Sequence, residues 1–79
     1  LVLVSAGFDS HREDPIGSLG LEVEDFAWLT DAARQIAIEF AAGRMVSSLE
    51  GGYNPPVLAE CVATHLRGLL GPAATLPQD

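Results

Sequence analysis

The chain has 79 residues, 48% of them hydrophobic, and a formal net charge of −7 with no lysine. This length allows one small domain at most, and a domain near this size buries only ~60% of its unfolded surface. The apolar content argues against disorder, the widely spread Arg12, Arg34, Arg44 and Arg67 argue against direct nucleic-acid or anionic-membrane binding, and no apolar run approaches the ~20 residues of a membrane span.

Leu1 to Val4 is too short for a signal-peptide core, and no basic segment precedes it. Cys61 is the single cysteine. It cannot form an internal disulfide, which favours a reducing, cytoplasmic setting. The first residue is Leu rather than Met, so a piece of something longer is expected.

Leu1 to Ala6 is apolar without alternation apart from Ser5, the pattern of a strand covered on both faces in a parallel sheet. Gly7 ends it. Phe8 to Gly20 reads as a loop marked by Pro15, Gly17 and Gly20. Glu24 to Ala42 reads as a helix, with Phe26, Leu29, Ala33, Ile36, Ala37 and Phe40 on one apolar stripe. Glu24 and Asp25 complement the dipole of its first turn, and Gly43 is a C-terminal stop. No Ser, Thr, Asn or Asp stands just before Glu24 to cap it. Trp28 and Ile38 lie on the far face, and the Trp points to a neighbouring element outside this chain.

Met45-Val46-Ser47-Ser48-Leu49 is a second short strand, followed by the loop Glu50-Gly51-Gly52-Tyr53. Asn54 can cap a helix whose first turn holds Pro55 and Pro56. Leu58, Val62, His65 and Leu69 share a face, Gly71-Pro72 ends the helix, and Ala73 to Asp79 reads as a frayed tail. Strand, helix, strand implies a parallel pair joined by a right-handed crossover. In open parallel sheets functional groups gather beyond the C-terminal strand ends. The polar loops at Asp9 and Tyr53 both follow strand ends, so they are expected on one edge.

Asp9 could be a metal ligand, a general base or a turn former, and from pattern alone the turn is preferred. His11, two residues on, makes an Asp-x-His pair of a type suited to zinc or another first-row divalent metal. Asp14 before Pro15 reads as a turn residue. Gly51 and Gly52 allow a tight bend and close approach to a ligand, and the Tyr53 phenol could donate to a developing oxyanion. The plainer reading is that Tyr53 packs over its loop. Cys61 and His65 have metal-ligand spacing on a helix, yet read as core residues. No phosphate-loop pattern and no nucleophile–base pair is present.

Taken together, "SAGFDSHREDPIGSLGL" and "SLEGGYN" resemble the C-terminal part of the histone deacetylase family, which includes bacterial acetylpolyamine amidohydrolases and acetoin-utilisation proteins. The spelling is nearest to class II-like bacterial members. The resemblance runs from Leu1 to about Leu70. Residues 1–72 are therefore expected to be the C-terminal part of a deacetylase-like catalytic domain, and 73–79 a flexible tail. It implies an α/β architecture: a β-α-β-α piece of an arginase/deacetylase fold, whose sheet is mainly parallel and eight-stranded with helices on both faces.

The resemblance also implies zinc-dependent removal of acetyl or acyl groups from lysine side chains or small acylated amines. The family's zinc is held by two aspartates and one histidine. Asp9 of the GFD motif matches one of those aspartates. Tyr53 of the GGY motif matches the transition-state hydrogen-bond donor, with Gly51 and Gly52 beside the substrate. Ile16, after Asp14-Pro15, matches a residue lining the substrate tunnel. An apolar Ile16 suits the alkyl stem of an acylated lysine and lacks the acidic group that would select a cationic polyamine.

The family's own Asp-x-His motif and paired acid–base histidines lie upstream of these residues. The position of His11 varies in the family, so His11 is expected to be a solvent-facing loop residue and not a ligand. Alone, the chain should neither bind zinc tightly nor hydrolyse an amide, and it would need the upstream remainder of the catalytic domain. The alternatives are a catalytically inactive binding or regulatory module on the same fold, and an unrelated parallel α/β binding domain.

Overall fold

The computed structural model describes residues 1–71 as β1 (Val2–Gly7), α1 (Val23–Ala41), β2 (Met45–Gly51) and α2 (Pro55–Leu70). The tail expected at 73–79 lies outside the described residues. β1 and β2 pair in parallel, from Val2 opposite Met45 to Ala6 opposite Leu49. A parallel pair needs a crossover, and α1 supplies it. At the C-terminal end the register slips, so that Gly7 faces Gly51 and Glu50 is an extra residue on β2. Such a bulge bends its strand.

α1 starts without a hydroxyl or amide cap. Instead Asp25, at the third helical position, reaches back and accepts the Glu22 N–H at 2.8 Å. This answers the missing cap signal before Glu24. The helix closes through Ala42 in the left-handed region (φ 53°), and Gly43 N–H donates to Ala37 O at 2.9 Å.

Val4, Ala6 and Phe8 pack against Phe26 of α1 and against Val57, Leu58, Cys61 and Val62 of α2. The Phe8 and Phe26 rings meet edge to face at 5.1 Å and 72°, a favoured aromatic geometry. The buried stripe of α1 differs from the expected one. Phe26, Thr30, Ala37 and Ala41 are buried, while Leu29, Ile36 and Phe40 are exposed. The reason is that α1 must meet α2 as well as the sheet, and the two helices meet through small residues. A Cβ added at Gly68 would stand 2.6 Å from Thr30 Cγ2. Gly68 therefore costs helix propensity but permits the close approach.

Both helices cover the same sheet face. Leu3 (73% exposed) and Val46 (55% exposed) alternate to the opposite face. The expected cover on both faces is thus found on only one among the described residues. Trp28 and Ile38 are exposed, as expected for the far side of α1. No described helix is long and apolar enough to cross a membrane.

Cys61 and His65 are core residues, as expected. His65 joins three elements. Its Nδ1 lies 2.7 Å from Thr30 Oγ1 on α1, and its Nε2 lies 2.7 Å from Ser47 Oγ on β2. The Thr30 hydroxyl donates its one proton to Phe26 O at 2.7 Å, so it accepts from Nδ1–H. In the neutral ring Nε2 then accepts from the Ser47 hydroxyl. Burial lowers the pKa of His65, since desolvation disfavours the charged ring.

The folded state therefore binds fewer protons here than the unfolded chain, and stability rises with pH through this window. The contribution is fully present above the ordinary histidine value of ~6.5 and is lost as pH falls through the lower folded value. Thermal melts should show stability falling below about pH 6.5, with a shallower fall in His65→Gln. Equal slopes for the two proteins would remove His65 as the cause.

Candidate functional site

The register brings the ends of β1 and β2 together, and Phe8 N–H donates to Gly51 O at 2.8 Å. The polar loops after both strands therefore share one edge, as the strand order implied. Asp9 follows at once and is enclosed by three glycines. A Cβ at Gly51 would lie 3.1 Å from Asp9 Oδ1, and one at Gly7 would lie 3.2 Å from the same oxygen. A Cβ at Gly17 would fall 2.1 Å from the Asp9 carbonyl oxygen, a backbone clash that no rotamer relieves.

The loop after Asp9 is tied by its own backbone. Ser18 N–H donates to Asp9 O at 2.8 Å, Leu19 and Leu21 N–H donate to Ser10 O, each at 3.1 Å, and Arg12 N–H donates to Leu21 O at 2.8 Å. Within this bonded frame the half-buried Asp9 carboxylate accepts no hydrogen bond from any described residue.

Asp14 has a larger role than the turn that its Asp-Pro context suggests. Its Oδ1 does make the turn, accepting Ile16 N–H at 2.8 Å and Gly17 N–H at 3.1 Å. Its Oδ2 reaches across 39 residues to accept Tyr53 N–H at 2.8 Å. Burial alone would push this carboxyl's pKa up. The N–H groups of Tyr53, Ile16 and Gly17, with His11 nearby, outweigh burial and hold it below the ordinary value. Asn54 stands at the N-cap of α2, but its side chain makes no capping bond. Its Nδ2 instead donates to Glu13 O at 2.8 Å. Sequence reasoning missed both cross-links, because neither partner is near the other along the chain.

Tyr53 rides on the Gly51-Gly52 bend. Gly52 has φ 137°, and a Cβ there would meet Leu58 Cδ1 at 2.6 Å, so glycine is required. The Tyr53 side chain is 53% exposed. Ile16 is exposed too, and the same Asp14 carboxylate holds the backbone N–H of both residues.

The expectation for His11 is corrected. It is 3% exposed, its Nδ1 accepts Glu13 N–H at 3.0 Å, and its ring stacks on Phe26 at 6.4 Å. A bridge between His11 and Leu21 folds the loop back on itself. Hydrophobic cover and not solvent surrounds the ring. Among the described residues no group of three or more His, Cys, Asp or Glu could hold a metal ion. Both Asp14 oxygens and the His11 Nδ1 are already engaged. Asp9, with a free carboxylate in a close-fitting cradle, fits a single metal donor; any further donors would have to come from outside the described residues.

The family model for the histone deacetylase domain matches residues 1–69. Type-2 histone deacetylase 1 of Dictyostelium discoideum is 45% identical over 69 residues, 87% of this chain and 5% of that protein. Polyamine deacetylase HDAC10 of Homo sapiens is 47% identical over 74 residues, 94% of this chain and 10% of that protein. A protein named probable deacetylase from Methanothermobacter thermautotrophicus is 37% identical over 71 residues, 90% of this chain and 20% of that protein. The chain thus spans a fifth or less of the length of each of these relatives. Two of these three relatives are eukaryotic, so the spelling does not single out bacterial members.

The glycine cradle is open to a direct test. Gly17→Ala should cost about 1–3 kcal/mol or more in denaturant unfolding, because it overpacks against backbone. Unchanged stability would mean that the Asp9 loop is not held where the close approach places it.

Proposed function

The chain belongs to the histone deacetylase family, and on that premise we propose that it forms part of the catalytic domain of a zinc-dependent amide hydrolase. The substrate class is an acetylated or longer-acylated lysine side chain, or a small acylated amine. One observation carries the reading: Asp9 and Tyr53 stand at adjacent strand ends, their backbones tied and the Asp9 carboxylate unengaged among the described residues. The names of the relatives, a histone deacetylase and a polyamine deacetylase, support the substrate class.

Asp9 would be one ligand of the zinc ion, which supplies Lewis-acid polarisation of the amide carbonyl and a lowered pKa for water. The Tyr53 hydroxyl donates a hydrogen bond to the oxygen on which negative charge develops, and retains its proton while doing so. Gly51 and Gly52 let the backbone approach the reacting group. Ile16 covers the alkyl stem of the substrate and offers no charge to a cationic chain. The products are a carboxylate and a free amine. The other zinc ligands and the acid–base histidines belong to the remainder of the domain. So do the further strands of an eight-stranded sheet, which would pair along the free edges of β1 and β2, and the helices that would cover the bare face bearing Leu3 and Val46. By itself the chain holds zinc weakly and hydrolyses nothing.

Two substitutions in the full-length protein test these roles. Tyr53→Phe should retain zinc and lose roughly 10²–10³ in turnover, about 2.7–4 kcal/mol of transition-state stabilisation. Near-normal turnover would remove Tyr53 from the role. Asp9→Ala should lose zinc by metal analysis, and full occupancy would reject Asp9 as a ligand.

A further inference from the structure

Tyr53 follows two glycines, the least restrained backbone a chain can offer, and no described residue hydrogen-bonds its hydroxyl. What the described residues hold is therefore the backbone at Tyr53, from which the phenol projects. The N–H of that residue is held by Asp14 Oδ2 at 2.8 Å. The opposite oxygen of the same carboxylate is fixed by the N–H groups of Ile16 and Gly17, and Gly17 in turn is in close contact with the Asp9 carbonyl. One buried carboxylate, 5% exposed, thus refers Tyr53 to both Asp9 and Ile16.

The chemistry demands aspartate. Three N–H donors converge on it, and only an ionised carboxylate presents two acceptor oxygens with no donor. Bonds from N–H groups to an ionised acceptor are also about twice as strong as neutral ones. An asparagine would offer one acceptor and turn an NH₂ toward a facing N–H. The Asn54 amide, donating to Glu13 O at 2.8 Å, joins the same two loops a second time.

We propose that Asp14 is a positioning residue for Tyr53, seconded by Asn54: together they set the distance of the Tyr53 hydroxyl from the Asp9 centre without touching the substrate. This rests on the reading of Tyr53 as oxyanion donor. A misplacement of about 1 Å can cost on the order of 10²-fold in rate, so the clamp belongs to catalysis as much as to loop stability.

The test is a double-mutant cycle in the full-length zinc-loaded protein, reading kcat, KM and zinc content. Asp14→Asn keeps an oxygen for Ile16 and Gly17. It should lower kcat roughly 10–100-fold with KM and zinc content near those of the unaltered protein, and Asn54→Ala should lower it less. Neither should lower kcat further in a Tyr53→Phe background, where there is no hydroxyl left to place. A loss of equal size in both backgrounds, or one appearing in KM or zinc content, would make Asp14 a general loop brace and overturn the proposal. Should Asp14→Asn fail to fold, Asn54→Ala carries the same test. A fall confined to the Tyr53 background supports the clamp, and an equal fall or none overturns it. If Tyr53→Phe alone retains full kcat, the oxyanion reading fails first and the clamp with it. An impaired Tyr53→Phe with additive losses sinks the clamp only.

Discussion

The parallel pairing that sets Gly7 opposite Gly51 is the constraint on which the rest of the site depends. Two strands that run the same way must end on the same edge, so the loops after them meet although far apart in sequence. The bulge at Glu50 matters here. Without the extra residue the pairing after Ala6 would oppose Gly7 to Glu50 and set a side chain beside the Asp9 carboxylate. With it, glycine lies against glycine, and Asp9 Oδ1 rests 3.1–3.2 Å from where the two Cβ atoms would be. Sheet register, glycine placement and the aim of one carboxylate form a single arrangement.

Stability and site are built from different residues that share Phe8. On one side Phe8 packs with Phe26 and lies 5.7 Å from the His65 ring; on the other it immediately precedes Asp9. The His65 network with Thr30 and Ser47 pins α1, α2 and β2, and so fixes the platform from which both loops leave. That platform is thin. Its buried hydrophobic residues are Ala6, Phe8, Phe26, Ala37, Ala41 and Cys61, while Leu3, Trp28, Phe40 and Val46 face outward. A surface of that kind is expected of a unit whose other layers are supplied by the rest of a larger domain.

Much of the architecture was legible in the sequence, because it rests on local signals. The unalternated strand, the helical spacing, and Gly43 and Gly71 as stops place the elements within a residue or two, and strand–helix–strand order places Asp9 and Tyr53 on one edge. Three features were not legible, and each for a long-range reason. The α1 stripe turns toward Thr30 and Ala41 because Gly68 on the other helix lets them approach. His11 is buried because Leu21 and Phe26 close over it. Asp14 reads as a turn residue because its bonds to Ile16 and Gly17 are local, while the bond that matters most reaches Tyr53. Asp9 itself carries no distinctive local pattern; only the resemblance built on the GFD and GGY motifs proposes it as a ligand.

The most direct measurement is release of acetate from an acetyl-lysine peptide by the full-length protein, with and without a zinc chelator. A zinc-dependent deacetylase gives release that the chelator abolishes and restored zinc recovers. Release indifferent to the chelator would rule that activity out, as would a folded, zinc-loaded protein inert toward acylated lysine and acylated amines alike.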